Sequence, residues 1–434
     1  MLLAAALAAS GAAMASCSSS DDGGSASNPA DAGAEATTDE AGFDAASPTD
    51  AGFVDAKPRP VVCASQPCAT SLVTTLGANA DDHAEGFCAL LDDGTVACWG
   101  ANGAGQLGRG DEAGKIDSAN AARVVGLSDV AMLDHTCAVD ERGAVWCWGT
   151  GPFLRDGAGI TTTRIPVKLD LPPATAVGLG HSTACAVVAE GVVCWGSNAD
   201  GQLYPLTATP DDAGLLRSIA VPTGAPVRGV AVGRATFVLR EDGALVTWGA
   251  NPPIGRLSPM FPDSQPQAVD TLHGVGSFDL VHDNACVTAG GRGYCWGAAV
   301  VAPSWYGGSA TERALPQPVI APEPLVQIAT TRTHVVDGVV QRYRWCAVGV
   351  SGSVYCWGLN ENGQAGDGTR EFAFDAIKVR DLPEPAAQVR TTPNATCALL
   401  TNGKVRCWGA NYYGQLGNGE NRGRSFVPQE VVLP

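Results

Sequence analysis

Apolar and polar positions alternate in short bursts along most of this chain, and the bursts come in pairs. An apolar run, Cys88-Ala-Leu-Leu, stops at Asp92-Asp93-Gly94, and Thr95-Val-Ala then leads into Cys98-Trp99-Gly100. Two β-forming runs around an Asp-Gly pair predict a hairpin, because glycine accepts the positive φ of a tight turn. The same signal sits at Glu141-Arg142-Gly143, Glu241-Asp242-Gly243, Val350-Ser351-Gly352 and Thr401-Asn402-Gly403.

Each hairpin closes on Trp-Gly, at Trp99, Trp148, Trp195, Trp248, Trp296, Trp357 and Trp408, with steps of 49, 47, 53, 48, 61 and 51 residues. A strand-rich unit of about 50 residues, repeated, predicts a propeller. Cysteines follow the hairpins as Cys88 with Cys98, Cys137 with Cys147, Cys185 with Cys194, Cys286 with Cys295, Cys346 with Cys356 and Cys397 with Cys407. Centring each hairpin on its turn places the two cysteines opposite each other, within disulfide reach. Cys185/Cys194 and Cys286/Cys295 are one residue closer in sequence, and a shorter turn accommodates that. The fourth repeat has Phe237 and Thr247 instead. Joint loss of both partners is what a bonded pair predicts. Reduced core thiols are the rival reading; zinc is disfavoured, since C-x-x-C knuckles are absent.

After most Trp-Gly pairs comes N-x-x-G-Q: Asn102 to Gln106, Asn198 to Gln202, Asn360 to Gln364 and Asn411 to Gln415. Its recurrence reads as a blade-to-blade turn rather than a single anion or metal nest. Together with H-T-C-A-V at 135–139, C-W-G-A-N at 98–102 and G-Q-L-G at 414–417, it resembles the regulator of chromosome condensation repeat, in particular bacterial members with Cys-Trp-Gly repeats. The resemblance implies an all-β fold, a seven-bladed β-propeller of four-stranded antiparallel blades over 61–434. It leaves activity open, since such proteins range from nucleotide exchange on a small GTPase to β-lactamase inhibition. The C-terminal run Val427 to Leu433 shares a pattern with Pro318 to Val326 that leads into a repeat, so it is expected to add a strand to the first blade.

Residues 1–16 are Leu/Ala-rich and precede Cys17. They resemble a bacterial lipoprotein signal, with Cys17 as the lipidated residue. Two features depart from that pattern: no basic residue precedes the apolar run, and Met14 stands where Leu is commoner. The 15 cysteines are accounted for by six hairpin pairs, Cys63 with Cys68, and Cys17. Residues 17–60 read as a disordered acidic tether, with nine acidic residues against Lys57 and Arg59. Lipidation and disulfides together predict the bacterial cell envelope, periplasmic or cell-surface. The net charge of −17 argues against nucleic acid. Membrane contact is expected through the lipid anchor only, and the chain is expected to be a monomer.

Catalytic fingerprints are missing from the sequence, and neither a cofactor nor a metal is expected. His83, His135, His181, His282 and His334 recur just ahead of a hairpin cysteine. A recurring residue most often bonds neighbouring backbone. The spacing from His to Cys is 2 to 5 residues in four repeats but 12 from His334 to Cys346. That insertion carries Arg342, Tyr343, Arg344 and Trp345, residue types enriched in interface hot spots. A second irregular stretch carries Trp305 and Tyr306. These six are the expected partner contacts, with loops near His83, His181 and His282 as rim. The leading function is therefore an envelope-anchored scaffold recognising a protein partner, and not an enzyme. The rivals are a polysaccharide or cell-wall hydrolase or lyase with carboxylates in the central channel, and a structural surface module.

Overall fold

The computed structural model describes residues 57–77, 83–110, 116–153, 160–203, 216–297, 315–331, 335–336, 339–340 and 344–434. Residues 1–56, with the leader, Cys17 and most of the tether, lie outside them. The chain forms seven four-stranded antiparallel sheets, each a simple meander in chain order. Blade 1 consists of Ala69–Leu76, His83–Leu91, Val96–Gly100 and Ser118–Arg123; blade 7 consists of Ala386–Thr391, Ala395–Leu400, Val405–Ala410 and Arg424–Glu430. A small extra hairpin, Val335–Val336 with Val339–Val340, lies between the first and second strands of blade 6.

The hairpins fall in the predicted register. Cys88 faces Cys98, Cys137 faces Cys147 and Cys185 faces Cys194. Cys286 faces Cys295, Cys346 faces Cys356 and Cys397 faces Cys407. All six pairs are disulfides with Cα atoms 4.0–4.1 Å apart, and Cys63–Cys68 is a seventh bond. The reduced-thiol reading is thereby set aside for these residues. The two shorter pairs, Cys185–Cys194 and Cys286–Cys295, keep the same Cα spacing as the rest, so the missing residue is taken from the turn. In blade 4, Phe237 faces Thr247 at the same position. Phe237 there stacks on Trp296 of the next blade, with ring centroids 5.8 Å apart. Thr247 Oγ1 donates to Ile254 O at 2.6 Å.

The core consists of seven apolar clusters, one at each blade-to-blade boundary. The repeated tryptophans bind neighbouring blades together. The indole N–H of Trp99 donates to Gln415 O, of Trp148 to Gln106 O, of Trp248 to Gln202 O and of Trp408 to Gln364 O, at 2.8–3.1 Å. Trp195 and Trp296 make the same bond to Pro152 O and Pro253 O. Each acceptor belongs to the preceding blade. A buried indole needs such an acceptor, and the repeated turn supplies it.

The innermost strands meet the neighbouring blade edge-on, so some of their N–H groups lack a strand partner. Side chains from the preceding blade take that place. Asp134 accepts from Leu179 N, Asp279 from Thr330 N, Gln327 from Val389 N and Gln388 from Leu72 N, at 2.7–2.9 Å.

The last of these ties joins blade 7 to blade 1, and it corrects the expected ring closure. The C-terminal strand Arg424–Glu430 pairs with Val405–Ala410 of its own blade. No strand is shared across the seam among the described residues. The comparison segment shows why the pattern misled. Gln317–Val319 is an outer strand and Leu325–Thr330 the next inner one. The motif marks the outer strand of a blade, and Val427 lies in the outer strand of blade 7.

Candidate binding face

In a four-stranded meander, alternate connections fall at opposite ends. The links from first to second strand and from third to fourth therefore share one face of the ring. The Asp-Gly hairpin turns share the other. The first face is framed by the N-x-x-G-Q turns. Asn102, Asn198, Asn360 and Asn411 each close the turn by accepting, through Oδ1, from the backbone N–H five residues on, at 2.7–3.1 Å. The glutamine then reaches the next blade: Gln202 donates to Gly233 O at 3.0 Å, and Gln415 to Glu85 at 3.2 Å. The motif is thus architecture, and its two middle positions are free to vary.

The middle positions are small or polar in three copies, Gly103-Ala104, Ala199-Asp200 and Glu361-Asn362, and aromatic in one. Blade 7 offers Tyr412 and Tyr413 at those middle positions. Blade 4 lacks the motif and offers Leu257, Met260 and Phe261, the last 72% exposed. Phe374, 76% exposed, lies at the start of the outer strand of blade 6.

At the centre of this face, His135, His181 and His282 come from three different blades and line one cavity of about 340 Å³. Leu76, Leu179 and Leu280 contribute its apolar wall, and Arg234 and Asp200 charges of opposite sign. Arg234 pairs with Asp200 at 2.8 Å. His135 Nδ1 lies 3.0 Å from Thr74 O of the preceding blade, so the ring bridges blades. Burial, with the like charge of His282 nearby, pushes the pKa of His181 down, against a backbone bond to Gly77 that raises it. His282 Nδ1 lies 3.4 Å from Asp283.

The expected contact residues divide. Arg342, Tyr343, Trp305 and Tyr306 lie outside the described residues, as do the side chains of His83 and His334. Arg344 is corrected: it is 2% exposed and turned into the boundary between blades 6 and 7. Its guanidinium donates to Thr396 Oγ1 at 2.7 Å, to Pro393 O at 3.4 Å, and to Thr392 O and Ala395 O. Position 344 faces Gly358 across the strand pair. Burial lowers its pKa to about 9, opposed by the charge of Glu85. Glu85, from blade 1, accepts from Thr392 Oγ1 and from Asn394 N and Nδ2 at 2.8–2.9 Å. Burial pushes its carboxyl above the usual range despite those bonds. The blade 7 loop 392–396 is thus gripped from both neighbours.

Trp345 is half-buried. It stacks on Trp357 at 6.3 Å and lines an apolar cleft of about 460 Å³ on the outer wall between blades 5 and 6.

Sequence reading found the histidines and the turns. It missed Glu85, the inner-strand ties, and the exposed Leu257, Phe261, Tyr412 and Tyr413. The tyrosine pair could have been found, because it fills the variable positions of an otherwise fixed motif.

The seven four-stranded blades form a propeller whose repeats are similar to the regulator of chromosome condensation repeat. The Regulator of chromosome condensation (RCC1) repeat pattern matches residues 81–106 and 388–415, and a second pattern of that description matches 402–434. The Ultraviolet-B receptor UVR8 of Arabidopsis thaliana is 28% identical over 363 residues, covering 80% of this chain and 68% of the receptor. The E3 ubiquitin-protein ligase HERC2 of Mus musculus is 28% identical over 346 residues, 75% of this chain but only 7% of the ligase. Among solved structures, yeast RCC1 (Prp20) bound to Kap60 superposes with a TM-score of 0.61 at 17% identity, covering 83% of this chain and 89% of that one. Human WBSCR16 gives 0.59 at 17% identity, covering 79% and 94%. At these identities the structures establish the shared fold alone.

Proposed function

We propose that this protein is a non-enzymatic binding scaffold, anchored in a bacterial envelope, that holds a protein partner against the face carrying the N-x-x-G-Q turns. The observation that carries the reading is the exposure of Leu257, Met260, Phe261, Tyr412 and Tyr413 in turns of that one face. Aromatic anchors on a ring stapled by disulfides lose little conformational freedom on binding. Protein binding also fits the yeast RCC1 structure, whose partner is Kap60. Buried disulfides suit an oxidising compartment, in keeping with lipidation at Cys17.

The test places a photo-crosslinking residue at Phe261 or Tyr413, and in a parallel protein at Glu241 on the hairpin-turn face. Expected is a discrete cross-linked species from the first two only, lost when Leu257 and Tyr412 become Ser. Cross-links from Glu241 alone would overturn the assignment. Cys17→Ser should move the protein from the membrane to the soluble fraction. Unchanged fractionation would refute the anchor and leave the face assignment standing.

A further inference from the structure

Residues 57–68 belong to no blade. They run across the hairpin-turn face, under the seam where the last blade meets the first. Arg59 Nε donates to Val350 O, in the hairpin turn of blade 6, at 3.2 Å. Val62 N donates to Thr401 O, in that of blade 7, at 2.8 Å, and Ala69 N to Gly403 O at 2.9 Å. Cys68 O accepts from Asp92 N of blade 1 at 2.9 Å. One short run therefore touches three blades. With no strand shared across the seam among the described residues, the run bridges it on this face, while Gly419 N bridges it on the other by donating to Ala119 O at 3.0 Å.

The Cys63–Cys68 disulfide lies inside this run, between the Val62 and Ala69 attachments. It differs in kind from the other six. Those join strands that are already paired, and their cysteines are at most 1% exposed. Cys63 is exposed, while Cys68 is fully buried against Gly403. A thiolate in solution can reach Cys63 Sγ without any opening of the fold. It can reach a hairpin sulfur only after a blade boundary opens, and such opening is rare in the core of a stable domain.

We propose that Cys63–Cys68 is a thiol-exchange site at which a dithiol reductant unlatches the N-terminal run from the seam. One thiolate of the dithiol attacks Cys63 Sγ. The Cys63–Cys68 bond breaks, and its electron pair leaves on Cys68 Sγ, which takes up a proton. The second thiol of the reductant, once deprotonated, attacks the mixed disulfide and expels Cys63 as a thiolate, which is protonated in turn. The reductant ends as a disulfide, having given two electrons and two protons to the cysteine pair. The run then keeps its hydrogen bonds and the packing of Val61, but the loop between Cys63 and Cys68 loses its covalent closure and is tied only through Gln66 Nε2 to Asp92 at 3.3 Å.

The test uses the oxidised full chain in native buffer. A dithiothreitol pulse is followed by alkylation and peptide mapping. Expected is alkylation of Cys63 and Cys68 at least about tenfold faster than any hairpin cysteine, since only the latter wait on core opening. The same pulse should raise proteinase K cleavage within 57–67, and a Cys63→Ser/Cys68→Ser double variant should be cleaved there without reductant. Hairpin cysteines alkylating first or at the same rate would overturn the exchange site. Fast alkylation with cleavage unchanged, or a double variant as resistant as the oxidised protein, would overturn the latch.

Discussion

Arg344 offers the sharpest test of the packing, because a solvent-facing contact and a buried tie predict opposite results for one substitution. Arg344→Met keeps much of the side-chain length and removes the guanidinium. Thr392 O and Thr396 Oγ1 then lose the guanidinium as donor, while Ala395 O keeps Thr392 and Pro393 O keeps Gln364. Each buried acceptor left unpaired costs about 1–3 kcal/mol. Glu85 also loses the positive charge that offsets its burial. Against this, one buried charge no longer has to be desolvated. Removing one partner of a buried ionic network typically costs a net of about 3–5 kcal/mol. For a ring of roughly 370 residues, the unfolding entropy of about 2 cal/mol/K per residue turns that into a fall in Tm of about 4–6 °C. Glu85→Gln should cost less, about 1–2 kcal/mol, because Glu85 is only partly buried and Gln keeps some of its bonds. The double variant should be less destabilised than the sum of the two by about 1 kcal/mol, the sign of coupled groups. Calorimetry at pH 7 on the oxidised protein reads all three. An Arg344→Met protein that melts within about 1 °C of wild type would refute the burial argument.

Three further outcomes follow from the same geometry. Trp248→Phe should leave Gln202 O without its donor and cost about 1–2 kcal/mol in a denaturant midpoint, whereas Trp345→Phe, half-buried on the outer wall, should cost less. Replacing Phe237 and Thr247 by Cys should form a seventh hairpin disulfide, seen by peptide mapping; the bond adds about 2–3 kcal/mol but removal of the ring takes away about 3 kcal/mol or more, so Tm should not rise. The pKa of His181 is lowered by burial, so the native state favours its neutral ring; stability from this group is present above pH 6.5 and is lost as pH falls from there through the folded pKa. His181→Gln should flatten that part of a Tm-against-pH curve between pH 7 and 5, and an unchanged slope would assign the acid loss elsewhere.

The sequence by itself determined the seven units, the hairpin register and the six opposed cysteine pairs. These are local facts: each hairpin is specified within about ten residues, and seven copies make the pattern unambiguous. Even the shortened pairs, Cys185 with Cys194 and Cys286 with Cys295, were legible, because the turn between them carries the difference. It also determined that the histidines share one place in the repeat, which is why three of them meet at one cavity. Only the tertiary structure decided which way Arg344 turns, since its partners belong to a loop some fifty residues away in the next blade. Only the closed ring placed Glu85 beside loop 392–396, more than three hundred residues distant in the chain. The inner-strand ties through Asp134, Asp279, Gln327 and Gln388 were hidden for the same reason: the N–H groups they satisfy are orphaned only once blades stand side by side. The C-terminal strand belongs with the last blade because the chain, on leaving Val405–Ala410, meets its own sheet edge first. Contacts between repeats are set by the geometry of closure, and a single repeat read alone does not contain it.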